Sequence, residues 1–334
     1  MRARPTQVDV ARLAGVSRQT VSLVAREDPR VSDEKRVLVL DAMERLGYRV
    51  NVAARALASR RTRFVGIVLS ELTNPFQADL VEVMRRRCEK AGLVPFIAPV
   101  GEGADEEATA IARFAEMNVD GLILISPLLA EDEIAKIGGE VATVVVTRNH
   151  APDGVDVVHS DDRAAGRLAT EHLVDAGYDD IVFLGYDRPV PGDSSIYREA
   201  SYRAVMEENA RVAQSILTPR DAVVESARQV VAEYGGNTGV VCHNDFIGIE
   251  VLGALSEFGL APGDDVGVVG FDNTRISGFP GISLTTIDQQ WDEIANRTID
   301  LILERIEDGR TQSVDISLPS TLVIRRSSVR GASH

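Results

Sequence analysis

The rhythm of apolar positions changes near residue 64. Before it, apolar residues fall at helical spacing in short segments: Val10, Ala11 and Ala14, then Val21 and Val24, then Val39, Ala42, Met43 and Leu46. A turn at Ala14-Gly15-Val16 parts the first two segments, Val31-Ser32-Asp33 opens the third, and Gly47 closes it. This predicts a three-helix unit, small enough to be marginal without a partner. From Phe64 onward, apolar runs alternate with amphipathic stretches. Residues 64–70, 93–98, 121–126, 141–147, 181–185, 239–243 and 266–271 read as strands. Residues 75–91, 105–117, 161–176, 195–209, 221–234, 244–258 and 290–308 read as helices. Near-continuous apolar strands separated by helices signify parallel sheets covered on both faces. Two such units are expected, about 64–160 and 161–288, with the chain from 289 to 326 returning to the first. Polar loops at the carboxyl ends of their strands, facing across a crevice, are the usual place for a ligand.

The polar face left on the second helix carries Ser17, Arg18, Gln19, Thr20 and Ser22. Hydrogen-bonding side chains and one fixed positive charge at an exposed helix start suit the DNA major groove. The overall charge of −15 argues against nucleic acid, but the way it is distributed points the other way. Residues 1–63 hold 14 Lys and Arg against 7 Asp and Glu, a net +7, and the remainder carries −22. A small basic head on an acidic body fits a molecule whose head alone meets phosphate. Between them, Asn51 can cap a short alanine-rich helix at 51–58, too short to persist alone in water, and 59–63 form a basic linker.

Other chemistry is sparse. Cys88 and Cys242 sit in apolar or helical patterns and read as buried thiols. The histidines show no metal spacing, and no nucleophile–base arrangement has local support. Gly101-Glu102-Gly103 lacks the third glycine of a dinucleotide loop. Arg85-Arg86-Arg87 fans around its helix as a solvated face. No enzyme activity, cofactor or metal is therefore expected. No signal-peptide core and no span of about 18 apolar residues is found, so a cytoplasmic protein away from membranes is expected.

The head, with Val8-Asp9-Val10-Ala11, Ala14-Gly15-Val16-Ser17, Thr20-Val21-Ser22, Leu46-Gly47-Tyr48 and Ala54-Arg55-Ala56-Leu57, resembles the lac repressor/galactose repressor family of bacterial transcription regulators. The match continues through Asn74-Pro75-Phe76, Asp120-Gly121, His172-Leu173, Asn244-Asp245, Gly270-Phe271-Asp272-Asn273 and Leu284-Thr285-Thr286-Ile287, nearly the whole chain. The resemblance implies a small all-α helix-turn-helix head and an α/β body of two parallel-sheet subdomains of periplasmic-binding-protein type. It implies a homodimeric regulator, repressor by preference, binding double-stranded operator DNA under control of a small-molecule effector. A sugar or related polyol is the favoured effector, with nucleosides behind. The ending after Arg325 has no leucine heptad, which favours a dimer over a tetramer.

By the same resemblance, Arg18 and Gln19 fall where the family reads its operator, with Ser17, Thr20 and Ser22 nearby. Thr6 falls at a phosphate contact, Leu57 at a minor-groove wedge, Ala54 at a close helix approach, and Asn51 at the cap before them. Ser70, Asn74 and Phe76 fall on one lip of the effector cleft, and Arg198, Asn244 and Asp272 on the other. Ser126, Thr147, Arg148 and Asp161 are weaker candidates at other strand ends. Plain structural roles compete: Asn74-Pro75 as a helix start, Arg198 paired with a carboxylate such as Glu199, Asp272 turning its loop. Two departures stand out. Leu23 occupies a position where the family commonly has Arg, and Gln77 one where a second aromatic is frequent. The expected division is a head at 1–49, hinge and linker at 50–63, a first subdomain at 64–160 and 289–326, a second at 161–288, and a tail at 327–334. The rival reading is a sugar-binding or sugar-modifying protein whose head serves only assembly. It leaves the basic head and Arg18-Gln19 unexplained.

Overall fold

The computed structural model describes residues 5–25, 28–48, 61–101, 103–187 and 192–331. The chain forms two units, Met1–Arg63 and Phe64–His334. The first contains α1 (Gln7–Ala14), α2 (Arg18–Ala25) and α3 (Asp33–Leu46). Thr6 caps α1 through a reciprocal box, its amide donating to Asp9 Oδ2 at 2.9 Å and its hydroxyl receiving the Asp9 amide at 3.4 Å. Gly15 ends α1 at φ +67°, a left-handed conformation that glycine adopts without strain and that allows the sharp turn into α2. Val10, Val21, Val24, Val39, Ala42 and Met43 form the small core, as the apolar spacing requires.

The second unit holds two six-stranded sheets. The first sheet has β1 (Phe64–Leu69), β2 (Val94–Pro99), β3 (Gly121–Ile125), β4 (Ala142–Val146), β5 (Asp156–Ser160) and β11 (Asp315–Leu318) in the order β11-β5-β4-β3-β1-β2, all parallel. Around it pack α4 (Pro75–Lys90), α5 (Ala104–Glu116), α6 (Glu131–Glu140) and α11 (Trp291–Leu303). The second sheet has β6 (Asp180–Tyr186), β7 (Gln214–Thr218), β8 (Thr238–Cys242), β9 (Val266–Phe271), β10 (Thr285–Asp288) and β12 (Thr321–Val323) in the order β12-β10-β9-β8-β6-β7. Its helices are α7 (Asp162–Asp175), α8 (Ser194–Glu208), α9 (Val223–Tyr234) and α10 (Asp245–Phe258). Strands β3, β8 and β9 are buried at every position, the burial expected of a parallel sheet with helices on both faces.

The return after residue 289 differs from the sequence expectation. Helix α11 and β11 do join the first sheet. β12, however, pairs antiparallel with β10, with Thr286 opposite Val323, so the chain from about 320 onward belongs to the second subdomain. Nor do the described residues beyond 326 stand off as a tail. Ser327 and Ser328 are buried; the Ser327 hydroxyl receives the Thr285 amide at 2.8 Å and donates to the Val268 carbonyl at 2.6 Å. Small hydroxyls thus satisfy backbone groups beside β9 and β10, and Arg330 lies over the Tyr178 ring at 4.4 Å. The chain passes between the subdomains three times, after β5, after β10 and after β11.

An ionic knot fastens the β5 end of the first sheet. The Asp156 carboxylate is fully buried and receives Arg305 Nε at 2.6 Å, Arg310 Nη2 at 2.7 Å and the Val314 amide at 2.8 Å. Burial works against ionisation, but these donors win and hold the carboxyl below its ordinary range.

Candidate functional site

Two surfaces carry chemistry. On the head, α2 projects its first turn into solvent: Ser17, Arg18 and Gln19 are exposed, while Val21 and Val24 anchor the opposite face. The Ser17 hydroxyl receives the Thr20 amide at 3.0 Å and lies 2.9 Å from the Thr20 hydroxyl, so both residues partly serve the helix start. Arg18 Nε reaches Gln7 Oε1 at 3.4 Å, which steers the guanidinium beside α1. No acidic residue occupies the first turn of α2, leaving its positive end open to an anion. Thr6 is exposed, though its hydroxyl is engaged with Asp9. Ser22 is half-buried, and Leu23 rests against the head core, an apolar contact unlike the Arg it replaces. Asn51, Ala54 and Leu57 lie outside the described residues.

The second surface is a cleft between the two sheets, at the carboxyl ends of their strands. Five of the six expected effector residues line it: Asn74, Phe76, Arg198, Asn244 and Asp272. Ser70 stands behind the wall, bonded to Gln77 at 3.0 Å, and Gln77 itself lines the cleft with its side chain buried. Asn74 and Asn244 each combine two roles. Asn74 caps α4 by accepting the Phe76 amide at 3.0 Å, and Asn244 caps α10 by accepting the Ile247 amide at 3.0 Å. The Asn244 amide group also donates to the Tyr186 hydroxyl at 3.3 Å. Capping fixes both side chains at the mouth of a helix, where they face the cleft.

Arg198 is buried and its guanidinium is fully organised. Nε donates to Asp162 at 2.8 Å, Nη1 to the His243 carbonyl at 2.7 Å and Nη2 to Gln289 at 3.0 Å, and the group lies 4.4 Å over the Phe271 ring. Its partner is thus the buried Asp162; the neighbouring Glu199 pairs with Arg203 instead. Asp272 is buried, sits at φ +117° and receives Gln289 Nε2 at 2.5 Å. A non-glycine residue at such a φ costs energy and is held there by its surroundings. Burial first, then the adjacent Asp245 carboxylate, pushes the Asp272 carboxyl well above its usual range against the pull of Arg198. Asp245 is itself raised to about 6 by burial, despite bonds from Thr286 and Thr274. His243 is pushed down to about 3 by burial and by Arg198, so its imidazole is neutral in this wall.

Among the weaker candidates, Ser126 and Thr147 line the cleft and bond each other at 2.6 Å. Arg148 turns away to the carbonyls of Pro127 and Leu129, and Asp161 caps α7 through the Ala164 amide. Sequence reasoning missed Gln289, Tyr186 and Arg220. Gln289 follows β10 and ties Arg198, Asp272 and Ser160 together; Arg220 follows β7 and stacks 4.2 Å from the Tyr186 ring. The rule that ligands meet strand carboxyl ends would have found Gln289 and Arg220 had β7 and β10 been recognised, whereas Tyr186 closes β6 one residue past the end of the strand read at 181–185. Arg85 and Arg86, on the face expected to be solvated, pair with Glu82, and Arg87 pairs with Asp300. Among the described residues, no group of His, Cys, Asp and Glu is placed to hold a metal, and no helix is long and apolar enough to cross a membrane.

Comparison with known proteins agrees with this division. Residues 6–51 match the bacterial regulatory proteins of the lacI family, and residues 170–328 match a periplasmic binding protein-like domain. The chain is 26% identical over 326 residues to the HTH-type transcriptional repressor PurR of Pasteurella multocida (strain Pm70), covering 96% of this chain and 97% of that protein. The lac repressor dimer bound to operator and the anti-inducer ONPF superposes with a TM-score of 0.83 at 26% identity, over 98% of this chain and 100% of that one. The transcriptional regulator CelR in complex with cellobiose gives 0.70 at 27% identity, over 97% and 100% of the two chains.

Proposed function

The chain belongs to the lacI family of bacterial regulatory proteins, and from that premise we propose that it is a homodimeric operator-binding repressor governed by a sugar held in the cleft of its body. The observation that carries the effector reading is the convergence of Phe76, Arg198, Asn244 and Asp272 on one cleft. An apolar ring, a paired guanidinium, an amide and a buried carboxyl make a surface for the alternating C–H and O–H faces of a sugar. Arg198 is already neutralised by Asp162, so the wall offers directed donors more than net charge. The cellobiose held by CelR supports the same class. Arg18 and Gln19, exposed at the start of α2, are the proposed base readers, since Arg suits guanine and Gln suits adenine in the major groove. Ser17, Thr20, Ser22 and Thr6 would flank them, and Leu57, with Ala54 and Asn51, would serve the central minor groove. A ligand that binds one closure state of the cleft better than the other shifts operator affinity by that difference.

The test is a thermal-shift screen of pentoses, hexoses, disaccharides and nucleosides, followed by an operator mobility shift with each hit. A sugar that raises the melting temperature and changes operator affinity supports the proposal. Stabilisation by nucleosides alone moves the effector to that class. No change of operator affinity with any stabilising ligand removes the regulatory reading.

A further inference from the structure

The mouth of the cleft carries a contact that belongs to neither lip alone. Glu71 follows β1 in the first subdomain, Arg220 follows β7 in the second, and their charged groups lie 3.9 Å apart. Each end is anchored in the cleft wall. The Glu71 amide donates to Gln77 Oε1 at 3.2 Å, and Gln77 is bonded in turn to Ser70. On the far side, the Arg220 guanidinium stacks 4.2 Å over the Tyr186 ring, which stands edge-on to His243 at 5.3 Å and receives the Asn244 amide at 3.3 Å. The pair also marks the outer end of the cleft. The Arg220 and Glu71 side chains are 34% and 43% exposed, whereas Arg198, Asn244, Asp272 and Gln289 are at most 5% exposed.

We propose that Glu71 and Arg220 form a strap across the cleft mouth that holds the two subdomains closed, with Arg220 as the residue that sets how readily the cleft opens to admit its ligand. The inference rests on the effector-cleft reading for its purpose, but its physical content is separate: a cross-cleft ion pair that biases closure with no ligand present. An exposed ion pair is a small term, so the expected bias is about two- to fivefold in the opening equilibrium. A contact of that size suits a gate, because a bound ligand can outweigh it.

The test is hydrogen exchange on the ligand-free full-length protein, comparing the parent with Glu71→Gln, Arg220→Gln and the double variant. Backbone amides in the segments 242–247, 271–274 and 287–290 report cleft opening, and those in 310–318, around the Asp156 knot, serve as the internal reference. Each single variant is expected to exchange about two- to fivefold faster in the cleft segments and unchanged in the reference. The double variant is expected to be no faster than the faster single variant, because the two substitutions remove one contact. Raising the salt to 1 M is expected to speed exchange in the parent and leave Glu71→Gln unaffected. Unchanged exchange in Glu71→Gln overturns the strap, and so does a double variant whose acceleration is the product of the two singles. Failure of every sugar in the ligand screen leaves these readings intact, so the two proposals fail separately.

Discussion

Asp272→Asn is expected to make the protein more stable and less able to answer its effector. The parent holds a carboxyl that is 4% exposed, next to a second buried carboxylate at Asp245. Asn keeps the size of the side chain and an oxygen to accept from Gln289, and it tolerates positive φ better than most residues, so the φ of +117° adds no new strain. Only the ionisation is removed. Unfolded, the Asp272 carboxyl loses its proton near pH 4; folded, its pKa is raised, so the native state retains the proton to higher pH. The native state therefore binds more protons across that window, and stability falls as pH rises from about 4 toward the folded pKa. Relieving a buried functional charge typically returns about 1–2 kcal/mol, or roughly 2–8 °C in melting temperature for a body of this size. The assay is thermal melting of parent and variant at pH 4.5 and pH 8, with calorimetry on whichever sugar the screen identifies. The stability gap should be small at pH 4.5 and widest at pH 8, and effector affinity should fall about 10- to 100-fold as the carboxyl's hydrogen bonds to ligand hydroxyls are lost. A variant less stable than the parent at pH 8, or a gap that ignores pH, refutes the reasoning.

Three further outcomes follow from the same geometry. Arg18→Ala/Gln19→Ala should abolish discrimination between operator and random DNA in a mobility shift, each lost base contact being worth about 1–3 kcal/mol, while leaving effector-induced stabilisation intact. Leu57→Gly should weaken operator binding without changing effector affinity in calorimetry; a parallel loss of both would place Leu57 elsewhere. Asp156→Asn strands the buried Arg305 and should cost about 3–5 kcal/mol in urea unfolding. Because the Asp156 pKa is lowered in the fold, the parent's advantage over this variant should be full at neutral pH and disappear as pH falls through the acid range below the ordinary carboxylate pKa.

Much of this was legible from residue order. The helices of the head and the long apolar strands declare themselves by period, and the burial of β3, β8 and β9 matches their unbroken apolar runs. Strand β5 escaped because its sequence, Asp-Val-Val-His-Ser, is half polar. Asp156 is buried there only because Arg305 and Arg310 arrive from a distant segment. β12 has three residues, too few for a periodic signal, and is recruited by the open edge of β10. In the cleft, Asn74 and Asn244 were named through the family resemblance alone; their local context, an asparagine between a strand and a helix, announces only the capping that each also performs. Gln289 was not, since its role is set by Arg198, Asp272 and Ser160, none of them local to it in sequence.

The three passages between the sheets have a consequence for how this body can be taken apart. Neither half is a continuous stretch of chain, so neither can be cut out at two points and expressed as a self-contained piece. A single proteolytic nick in any one crossing leaves the halves tied by the other two. Motion at the cleft is correspondingly restricted, because any displacement of one half against the other has to be accommodated at three junctions at once. Domain exchange with a relative would have to respect all three junctions at once, near residues 161, 289 and 320, to yield a chain that still closes.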